Sequence, residues 1–381
     1  MAYFDNAATT YPKPETVYSF MDKFYRQHGG SAGRGNYKIA QTAKGIIDDT
    51  RKRLQTLLNC PGKQIVFEPT ATTALNIIIQ GLIKKGLKNI YISPFEHNAV
   101  TRTLHAYEKD GIVNVAELSV TKNLNYDLER IRYQFDSLKP DFVIVSHASN
   151  VIGLIAPVAE IFQLSKQYGA VTLVDMAQTA GLVNLNVGLE TIDFAVFAGH
   201  KSLFGPTGIA GFAMKPGMNP EPVLFGGTGY ESANQDMPES VPERYEMGTI
   251  NIAGVSGLNA ALRWIEEQAI DKIFKEEESR RERLLDLLGN YDFITIVGNE
   301  PGRPYIGIVS CLIDGISSDS AGTIFSEHGI SVRTGLQCAP LAHKFLGTFP
   351  AGTIRLSVNC LTTDEDFEEL ETVLDLIQEE L

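Results

Sequence analysis

The chain has 381 residues, of which 44% are hydrophobic and 21% are charged, as in an ordinary folded protein. This length suits two domains, or one large domain with a smaller companion. The formal net charge of −13 argues against a nucleic acid or an anionic membrane surface as partner, because both require clustered lysine and arginine.

The first two thirds of the chain predict helices that alternate with short buried strands. Apolar residues at helical spacing predict helices over 15–29 and 37–58. Apolar runs of strand length then alternate with segments of helix length, which is typical of βαβ units around a mostly parallel sheet between helices. The strand runs are 64–68, 88–93, 141–147 and 170–175, and 193–199, 208–215 and the approach to Phe225 complete the sheet.

From about Ile250 the pattern changes to that of a smaller α+β domain. Helices around 253–268 and 271–288 precede strand-like runs, a short helix, two further strands and an acidic final helix. We therefore expect an α/β large domain over residues 15–255, and a small domain built from 1–14 and 256–381. The start of the chain lacks the basic, apolar character of a leader and no run has the length of a membrane span, so we expect a cytoplasmic protein.

The residues that directly follow the predicted strands carry reactive side chains. In an open α/β sheet, ligands bind beyond the carboxyl ends of the strands. Hydroxyls and free backbone N–H groups at Thr70–Thr73 suit an anion such as phosphate, although a plain helix cap explains the same residues. The full set at these positions is Thr70–Thr73, Glu96, His97, Asn150, Asp175, Gln178, His200 and Lys201.

Lys201 directly follows a buried strand, where desolvation lowers the pKa of a lysine and favours imine formation with a carbonyl compound. Taken alone, a solvated surface lysine is the simpler interpretation. Asp175 ends the preceding strand, so we expect it beside Lys201, where a carboxylate holds a pyridine nitrogen protonated. The alternative, a buried carboxylate that caps the next helix, leaves the lysine unexplained.

His97 follows another strand and has the shape and the proton chemistry to stack on such a ring. A hydrogen-bonded loop histidine is the alternative for this residue alone. An anion site, an imine-forming lysine, a pyridinium partner and a stacking imidazole together describe one cofactor, pyridoxal 5'-phosphate. No metal site is predicted.

The four cysteines, at positions 60, 311, 338 and 360, follow no metal-ligand spacing and suit a reducing compartment. Cys311 and Cys360 fall in or beside apolar strands, which predicts burial in the core. Cys60 has no evident partner. Cys338, in the run RTGLQCAP at 333–340, is by its own context a nucleophile, a metal ligand or a small apolar residue that fills a gap.

Motifs along nearly the whole chain resemble one family. They are FDNAATT, TATTALN, EHNAV, SNVIG, VDMAQ, GHKSLFGPTG, MGT, RTGLQCAP and IRLSVN, in that order. The chain resembles the class V aminotransferase superfamily of fold-type I pyridoxal-phosphate enzymes, and in particular the group II-like cysteine desulfurases. GHK after a VDxAQ strand is specific for the superfamily, whereas RxGxxCAP is specific for desulfurases and selenocysteine lyases.

The resemblance implies a role for each matching residue. Lys201 matches the Schiff-base lysine, Asp175 the partner of the pyridine nitrogen, and His97 the stacking imidazole. Cys338 matches the cysteine that attacks the substrate sulfur. The other implied contacts are Gln178 with the phenolic oxygen of the cofactor, Thr72, Thr73 and His200 with its phosphate, Thr249 with the phosphate from the partner subunit, and Asn150, Arg333 and Arg355 with the substrate.

The implied activity converts L-cysteine to L-alanine and transfers the sulfur to Cys338 as a persulfide. A homodimer is expected, with a protein or a small thiol as the final sulfur acceptor. The alternatives are a selenocysteine lyase, another pyridoxal-phosphate-dependent amino-acid lyase, and a catalytically silent sulfur-carrier scaffold.

The chain departs from the pattern of its family at four positions. Ala198 replaces a common phosphate-binding hydroxyl, and Asn98 follows His97 where many relatives have a second histidine. Leu336 and Gln337 stand where group II desulfurases often carry two histidines, which removes two possible proton donors. The glycine-rich segment 29–36 is either a plain loop or, as the resemblance implies, a border of the active-site entrance.

Overall fold

The structure, a computed structural model, describes residues 1–32, 35 and 37–380. Its helices are α1 (Glu15–His28), α2 (Lys38–Leu57), α3 (Ala71–Lys84), α4 (Asn98–Lys109), α5 (Leu128–Ser137), α6 (Val158–Gln167), α7 (Ile252–Gln268), α8 (Ile270–Leu288), α9 (Ser318–Glu327), α10 (Pro340–Leu346) and α11 (Asp364–Glu380). None of these described helices combines the length and the apolar character needed to cross a membrane. Three residues of the glycine-rich segment 29–36 lie outside the described residues.

The strands form one large sheet and two smaller ones. They are β1 (Ala2–Tyr3), β2 (Gln64–Glu68), β3 (Asn89–Ile92), β4 (Asn114–Glu117), β5 (Phe142–Ser146), β6 (Val171–Asp175), β7 (Phe194–Ala198), β8 (Ala210–Met214), β9 (Ile294–Val297), β10 (Ile308–Ile313), β11 (Ile330–Ser331), β12 (Arg333–Gly335) and β13 (Thr353–Ser357). The large sheet has the order β2-β8-β7-β6-β5-β3-β4. Only β8 runs antiparallel to its neighbours in this described sheet, so the prediction of a mostly parallel sheet is confirmed.

The large sheet is buried on both faces because helices cover each side. Along β5, Phe142 and Ile144 pack into one core, whereas Val143 and Val145 pack into the core on the opposite face. Successive side chains of a strand point to opposite faces, so a strand covered on both sides must be apolar at every position. This explains why the central strands appear in the sequence as continuous apolar runs.

The predicted strand that approaches Phe225 is wrong. The segment before Phe225 has no strand structure, and the Phe225 side chain is 71% exposed. The segment before Phe225 instead packs on α3, where the Glu221 N–H donates to the Gly81 carbonyl at 3.1 Å. A Cβ atom at Gly81 would lie 2.6 Å from the Glu221 carbonyl oxygen, so this contact requires a glycine.

The edge strands of the large sheet are β2 and β4, and β4 was not predicted from the sequence. β4 has four residues with polar side chains at both ends, and its described side chains are half-buried or exposed. An edge strand of this kind shows neither a continuous apolar run nor a clear alternation. The following helix α5 and the seven-residue helix α10 were also not predicted.

A second body is built around the four-stranded antiparallel sheet of order β12-β13-β10-β9. The N-terminal strand β1 pairs in parallel with β11, and Phe4 packs into the same core as β10 and β13. The start of the chain thus packs with strands from its C-terminal third. α7 packs on α1 and α2, and its buried residues belong to a core that also contains residues of the large sheet.

Glu277 of α8 is a buried carboxyl with one hydrogen bond, in which it accepts the Gly307 N–H at 2.8 Å. Burial raises the pKa of Glu277 from 4.5 to about 8. The folded protein therefore keeps this carboxyl protonated to a higher pH than the unfolded chain does. Between these two pKa values unfolding releases a proton, so Glu277 makes the protein less stable as the pH rises.

Substitution Glu277→Gln should remove this pH dependence while it keeps an oxygen that accepts the Gly307 N–H. The free energy of unfolding of the variant relative to the wild type should rise by up to about 1.4 kcal/mol per pH unit between about pH 5 and pH 8. Urea denaturation at several pH values measures this difference. Glu276→Gln, at the neighbouring exposed residue, is the control. The prediction is contradicted if the stability difference from the wild type depends on pH equally in both variants, or if it does not depend on pH in Glu277→Gln.

Candidate active site

The carboxyl edge of the large sheet contains a cavity of about 270 Å³, which we call the inner cavity. It lies where β5, β6 and β7 end, as expected for an α/β sheet. The structure brings together there most of the residues predicted for the cofactor. Those lining it are Thr72, His97, Asn150, Asp175, Gln178, His200 and Lys201, with Ala198 and Ser146 beside them.

Lys201 lies in the turn that follows β7, and the N-terminal segment holds this turn in place. The Thr10 hydroxyl donates to the Lys201 carbonyl at 2.9 Å, and the Thr10 N–H donates to the His200 carbonyl at 3.1 Å. Burial lowers the pKa of Lys201 to about 8, although the Asp175 carboxylate opposes this change. The lowered pKa leaves about a tenth of the Lys201 amine unprotonated at pH 7, far more than for an ordinary lysine, and the unprotonated amine is the form that acts as a nucleophile or a base.

Asp175 ends β6, which lies beside β7 in parallel, so its predicted position next to the strand of Lys201 is confirmed. Its Oδ1 accepts the Ala177 N–H at 2.9 Å. Burial raises the pKa of Asp175, whereas the Ala177 N–H and the positive charge of Lys201 lower it. Asp175 thus combines a contact within the turn that follows β6 with a place on the cavity wall. No helix begins in this turn, which is fully described, so the alternative of a carboxylate that caps the next helix does not apply. A cationic ring nitrogen in the cavity would stabilise the charged form of Asp175.

His97 begins α4, and its Nδ1 accepts the Ala99 N–H at 3.0 Å. Nδ1 therefore carries no proton, and a neutral ring carries its proton on Nε2. Burial and the positive charges of Lys201 and Arg102 lower the pKa of His97 to about 4. At neutral pH His97 is thus an uncharged imidazole with an Nε2–H donor at the cavity wall.

Thr72 and Thr73, both predicted to bind the cofactor, have different surroundings at the start of α3. Thr73 is held by the helix cap, since its N–H donates to the Thr70 hydroxyl at 3.0 Å and the two hydroxyls are 2.9 Å apart. Thr72 lines the inner cavity, whereas Thr73 is not among the residues that line it. The helix-cap interpretation is confirmed for Thr70 and Thr73, and the anion site stays a prediction for Thr72.

His200 supplies an unpaired polar atom to the same cavity. Its Nδ1 is buried and has no hydrogen-bond partner among the described residues, although most buried polar atoms have one. Burial and the charges of Lys201 and Lys13 lower the pKa of His200 to about 4, so the ring is neutral. An acceptor group such as a phosphate oxygen would complete this hydrogen bonding, and Ala198 offers no side-chain donor beside it.

Arg355 of β13 is 3% exposed and lies between the two domains. Its Nη1 donates to the Asn150 carbonyl at 2.9 Å, and its Nη2 donates to Asp5 at 2.6 Å. Its Nε is buried without a partner in the described part of the chain. Asp5 was not predicted as a site residue, because only the fold brings the N-terminal segment to β13; its place in the FDNAATT motif is the only signal in the sequence.

Glu96 was noticed at a strand end but given no role by the sequence. It is fully buried, and its carboxyl group accepts the Ser93 hydroxyl at 2.6 Å and the Ser146 N–H at 2.6 Å. Ser146 lines the inner cavity and pairs with Asp175 across β5 and β6. Glu96 thus supports the strand end beside Asp175, and burial raises its pKa to about 7.

Cys338 lies on a second cavity of about 860 Å³, which we call the outer cavity. Arg333, Leu336 and Gln337 contribute to its wall as well. Both Gln337 and Cys338 have left-handed backbone conformations, with φ angles of 40° and 58°. Such conformations are costly for side chains other than glycine, so the surrounding structure must hold the loop in this shape.

Among the four cysteines, all of which the structure describes, Cys338 alone is exposed. Burial raises the pKa of the Cys60 thiol to about 11 and those of Cys311 and Cys360 to about 12. Those three thiols are therefore poor nucleophiles at neutral pH. Cys311 is buried as expected, whereas Cys360 is only partly buried, which corrects the expectation for that residue.

The Gln337 side chain anchors the Cys338 loop in the small domain. Its Oε1 lies 2.8 Å from His343 Nε2, and its Nε2 donates to the Thr353 carbonyl at 3.0 Å. The loop backbone is tied to the large domain, since the Gln337 carbonyl accepts from Asn150 Nδ2 at 2.7 Å and the Cys338 carbonyl from the Asn98 N–H at 2.7 Å. The Gln337 side chain, a departure from the family pattern, thus holds the Cys338 loop, whereas Asn98 contributes a backbone N–H that does not depend on its side chain.

Substitution Gln337→Ala should leave the His343 ring nitrogen and the Thr353 carbonyl unpaired. Because such groups are costly when buried, we expect the free energy of unfolding to fall by about 1–3 kcal/mol. Urea denaturation at neutral pH measures the change. Leu336→Ala is the control, because Leu336 is half-exposed on the cavity wall; an equal loss in both variants would contradict an anchoring role for Gln337.

Comparisons with known proteins agree with this geometry. The family model described as Aminotransferase class-V matches residues 2–370. The chain is 32% identical to a probable cysteine desulfurase of Pyrococcus abyssi, over 99% of the chain and 93% of the relative. It is 30% identical to a probable cysteine desulfurase of Halalkalibacterium halodurans, over 100% of the chain and 93% of the relative. The apo structure of cysteine desulfurase from Thermococcus onnurineus matches with a TM-score of 0.89 at 28% identity, over 100% of this chain and 95% of that one. The chain therefore belongs to the class-V aminotransferase family and, within it, to the cysteine desulfurases.

Proposed function

We propose that the protein is a pyridoxal 5'-phosphate-dependent cysteine desulfurase, which converts L-cysteine to L-alanine and leaves the sulfur on Cys338 as a persulfide. One observation carries this proposal. The Cys338 loop is tied by a hydrogen bond to Asn150, and Asn150 lines the same inner cavity as Lys201 and Asp175. A nucleophilic sulfur is thus attached to a cavity with the donor set of this cofactor.

The residues of the inner cavity fit pyridoxal 5'-phosphate. Lys201 offers an amine for covalent attachment, and Asp175 offers a carboxylate for the ring nitrogen. The unpaired His200 Nδ1 and the Thr72 hydroxyl suit the phosphate. Gln178 donates one N–H to the Ala7 carbonyl at 2.9 Å and retains a second N–H for the phenolic oxygen. When bound, the cofactor supplies a carbonyl for the substrate amine and a ring that withdraws electrons from the substrate Cα.

Arg355 and Asn150 bind the substrate carboxylate in this proposal. The unpaired Nε–H of Arg355 is a buried donor that lacks an acceptor within the described chain. Asp5 already occupies one side of the guanidinium, which fixes the plane of the group. A carboxylate that accepts from Arg355 is therefore held in one orientation, as a bidentate donor favours.

Lys201 and His97 have different roles in this proposal: Lys201 transfers a proton, and His97 donates a hydrogen bond. Because the pKa of Lys201 is about 8, its amine accepts the substrate Cα proton near neutral pH. His97 remains neutral, since its pKa is about 4, and presents Nε2–H as a hydrogen-bond donor on the cavity wall. The two residues therefore differ in role because burial acts on a lysine and an imidazole that start from different pKa values.

Cys338 takes the sulfur. The residue before it, Gln337, accepts a hydrogen bond on its carbonyl from Asn150 Nδ2 at 2.7 Å, and Asn150 lines the inner cavity. The Cys338 sulfur attacks the substrate sulfur, the substrate carbon–sulfur bond breaks, and the carbon gains a proton. L-Cysteine and the Cys338 thiol thereby become L-alanine and the Cys338 persulfide, with no oxidant or reductant required. Arg333 adds positive charge to the cavity on which Cys338 lies.

A homodimer completes the proposed site. Thr249, which by family resemblance reaches the phosphate of the partner subunit, is exposed and is not among the residues that line the inner cavity. This position is compatible with a contribution to a neighbouring copy rather than to its own cavity. A twofold dimer is the commonest arrangement for such an exchange.

Mass spectrometry of the cofactor-loaded protein after treatment with L-cysteine tests the proposed function. We expect an adduct of one sulfur on the peptide that contains Cys338, together with L-alanine in the solution. The peptide with the partly buried Cys360 is the internal control and should stay unmodified. Release of sulfide from L-cysteine with no adduct on Cys338 would indicate a lyase instead, and no reaction at all would indicate a silent scaffold.

Substitution Arg355→Lys should raise the KM for L-cysteine by about tenfold to a hundredfold, because lysine cannot reproduce a charged bidentate hydrogen bond worth about 1.5–3 kcal/mol. The turnover number should change less, since the lysine and the cysteine that carry the chemistry are intact. Steady-state alanine formation measures both constants. Arg130→Lys, on the exposed face of α5, is the matched control, and an unchanged KM in Arg355→Lys would remove this residue from the substrate site.

A further inference from the structure

The outer cavity lies on the solvent side of the Cys338 loop and is larger than the inner cavity, at about 860 Å³ against about 270 Å³. One wall is a face of α4, which contributes Asn98, Arg102 and His105 at the spacing of successive helical turns. The opposite wall is β12 and the loop that carries Cys338. A volume of this size is within the range of pockets that enclose small-molecule ligands.

The outer cavity carries charges of both signs around apolar side chains. Arg102 and Arg333 are positive, whereas Glu108 and Glu117 are negative. The same cavity is also lined by apolar side chains, among them Leu104, Leu336 and Leu341. A wall that offers two cations and two anions is complementary to a ligand that has both carboxylate and ammonium groups, and it favours neither a simple anion nor an uncharged molecule.

Cys338 connects the two cavities. Its thiol is exposed and lines the outer cavity, while the preceding carbonyl is bound by Asn150 of the inner cavity. The Asn98 N–H, at the start of the α4 wall, binds the Cys338 carbonyl at 2.7 Å. A sulfur atom received from the inner side is therefore accessible from the outer side without entry of the acceptor into the inner cavity.

We propose that the outer cavity binds a low-molecular-weight amino-acid or short-peptide thiol, which removes the sulfur from Cys338. This inference rests on the proposed desulfurase function. The acceptor thiolate attacks the outer sulfur of the Cys338 persulfide, a new sulfur–sulfur bond forms on the acceptor, and the bond to Cys338 breaks with the electron pair on the Cys338 sulfur. The acceptor leaves as a persulfide, and the enzyme regains its thiol.

The discharge of the persulfide tests this proposal. The protein is first loaded with sulfur by one turnover of L-cysteine, and the loss of the adduct is then followed by mass spectrometry at increasing thiol concentration. With glutathione, a zwitterionic peptide thiol, the rate should reach a plateau because a complex forms. With 2-mercaptoethanol, which has no charged group, the rate should rise linearly over the same concentrations.

Substitutions in the α4 wall should change discharge and leave loading intact. Arg102→Ala and Glu108→Gln should each raise the glutathione concentration for half-maximal discharge by about tenfold, which corresponds to about 1.4 kcal/mol of binding. Both side chains are exposed, so neither substitution should affect folding. Arg130→Ala, an exposed arginine of α5 away from the cavity, is the control and should discharge like the wild type.

The proposal is overturned if glutathione and 2-mercaptoethanol both give linear discharge, or if only a protein thiol discharges Cys338. Loss of the proposed function has a different signature, because no adduct would then form on Cys338. Binding of S-methylglutathione, measured by calorimetry on the holoenzyme, tests the cavity without any persulfide. Binding that weakens in Arg102→Ala supports the site, and the absence of binding in the wild type refutes it.

Discussion

Substitution Lys201→Ala is expected to lower the rate of L-alanine formation from L-cysteine by at least about a thousandfold. The amine of Lys201 lines the inner cavity, and its pKa of about 8 suits both attachment of the cofactor and removal of a proton. Treatment of the wild type with borohydride should attach the cofactor irreversibly to the peptide that contains Lys201. The variant should bind the cofactor without such attachment, which mass spectrometry measures directly.

Lys139→Ala provides the control, because Lys139 is an exposed lysine remote from the sheet edge that carries the site. It should retain both the activity and the borohydride-stable attachment of the wild type. Attachment of the cofactor to another lysine in Lys201→Ala, or activity within tenfold of the wild type, would show that Lys201 does not have the proposed role.

Substitution Cys338→Ser is expected to lower sulfur transfer by about a hundredfold or more while the cofactor stays attached to Lys201. Serine keeps the size and the backbone conformation of the loop but lacks the sulfur that receives the substrate sulfur. The visible spectrum of the bound cofactor should be unchanged, and the sulfur adduct should be absent. Together these two readouts distinguish a lost nucleophile from a lost fold.

Iodoacetamide provides an independent measurement of the same cysteine. At neutral pH it should modify Cys338 first, because the other thiols have pKa values raised by burial to about 11 or 12. Cys360→Ser is the matched control and should keep full sulfur transfer. Sulfur transfer that persists in Cys338→Ser and disappears in Cys360→Ser would show that Cys360, and not Cys338, is the nucleophile.

The helices and central strands could be predicted because their patterns are local. β5, β6 and β7 are covered on both faces, so each appears as an apolar run with a polar residue after it. β4 could not be found in this way, since an edge strand of four residues with polar ends has no continuous run. The run before Phe225 led to the opposite error, because a short apolar segment on a helix surface has the same composition as a strand.

The inner cavity could be predicted because its residues follow successive strands. The direction of a parallel sheet brings strand ends to one edge, so Asp175 and Lys201 are neighbours although 26 positions separate them in the sequence. Thr73 was assigned to the cofactor along with Thr72 because adjacent hydroxyls at a helix start have the same composition. Only the geometry of the cap separates the Thr73 side chain, which contacts Thr70, from the Thr72 side chain.

The conformation of the Cys338 loop, residues 336–338, depends on long-range contacts. The sequence marks Cys338 within RTGLQCAP, and it marks Leu336 and Gln337 as departures from a family pattern. It does not show that Gln337 contacts His343 and Thr353, so a lost proton donor and a structural anchor are equally compatible with its identity.

Local patterns were thus sufficient for the α/β architecture and for the strand-end residues of the inner cavity, because both depend on neighbours in the chain. The family was predicted from the resemblance of motifs along nearly the whole chain. The tertiary structure alone decided the pairing of Asp5 with Arg355, the anchoring of Gln337 and the division of the site residues between the inner and outer cavities. Each of these joins segments far apart in the sequence, and the contacts that form them follow from the packing of whole domains rather than from any periodicity of the chain.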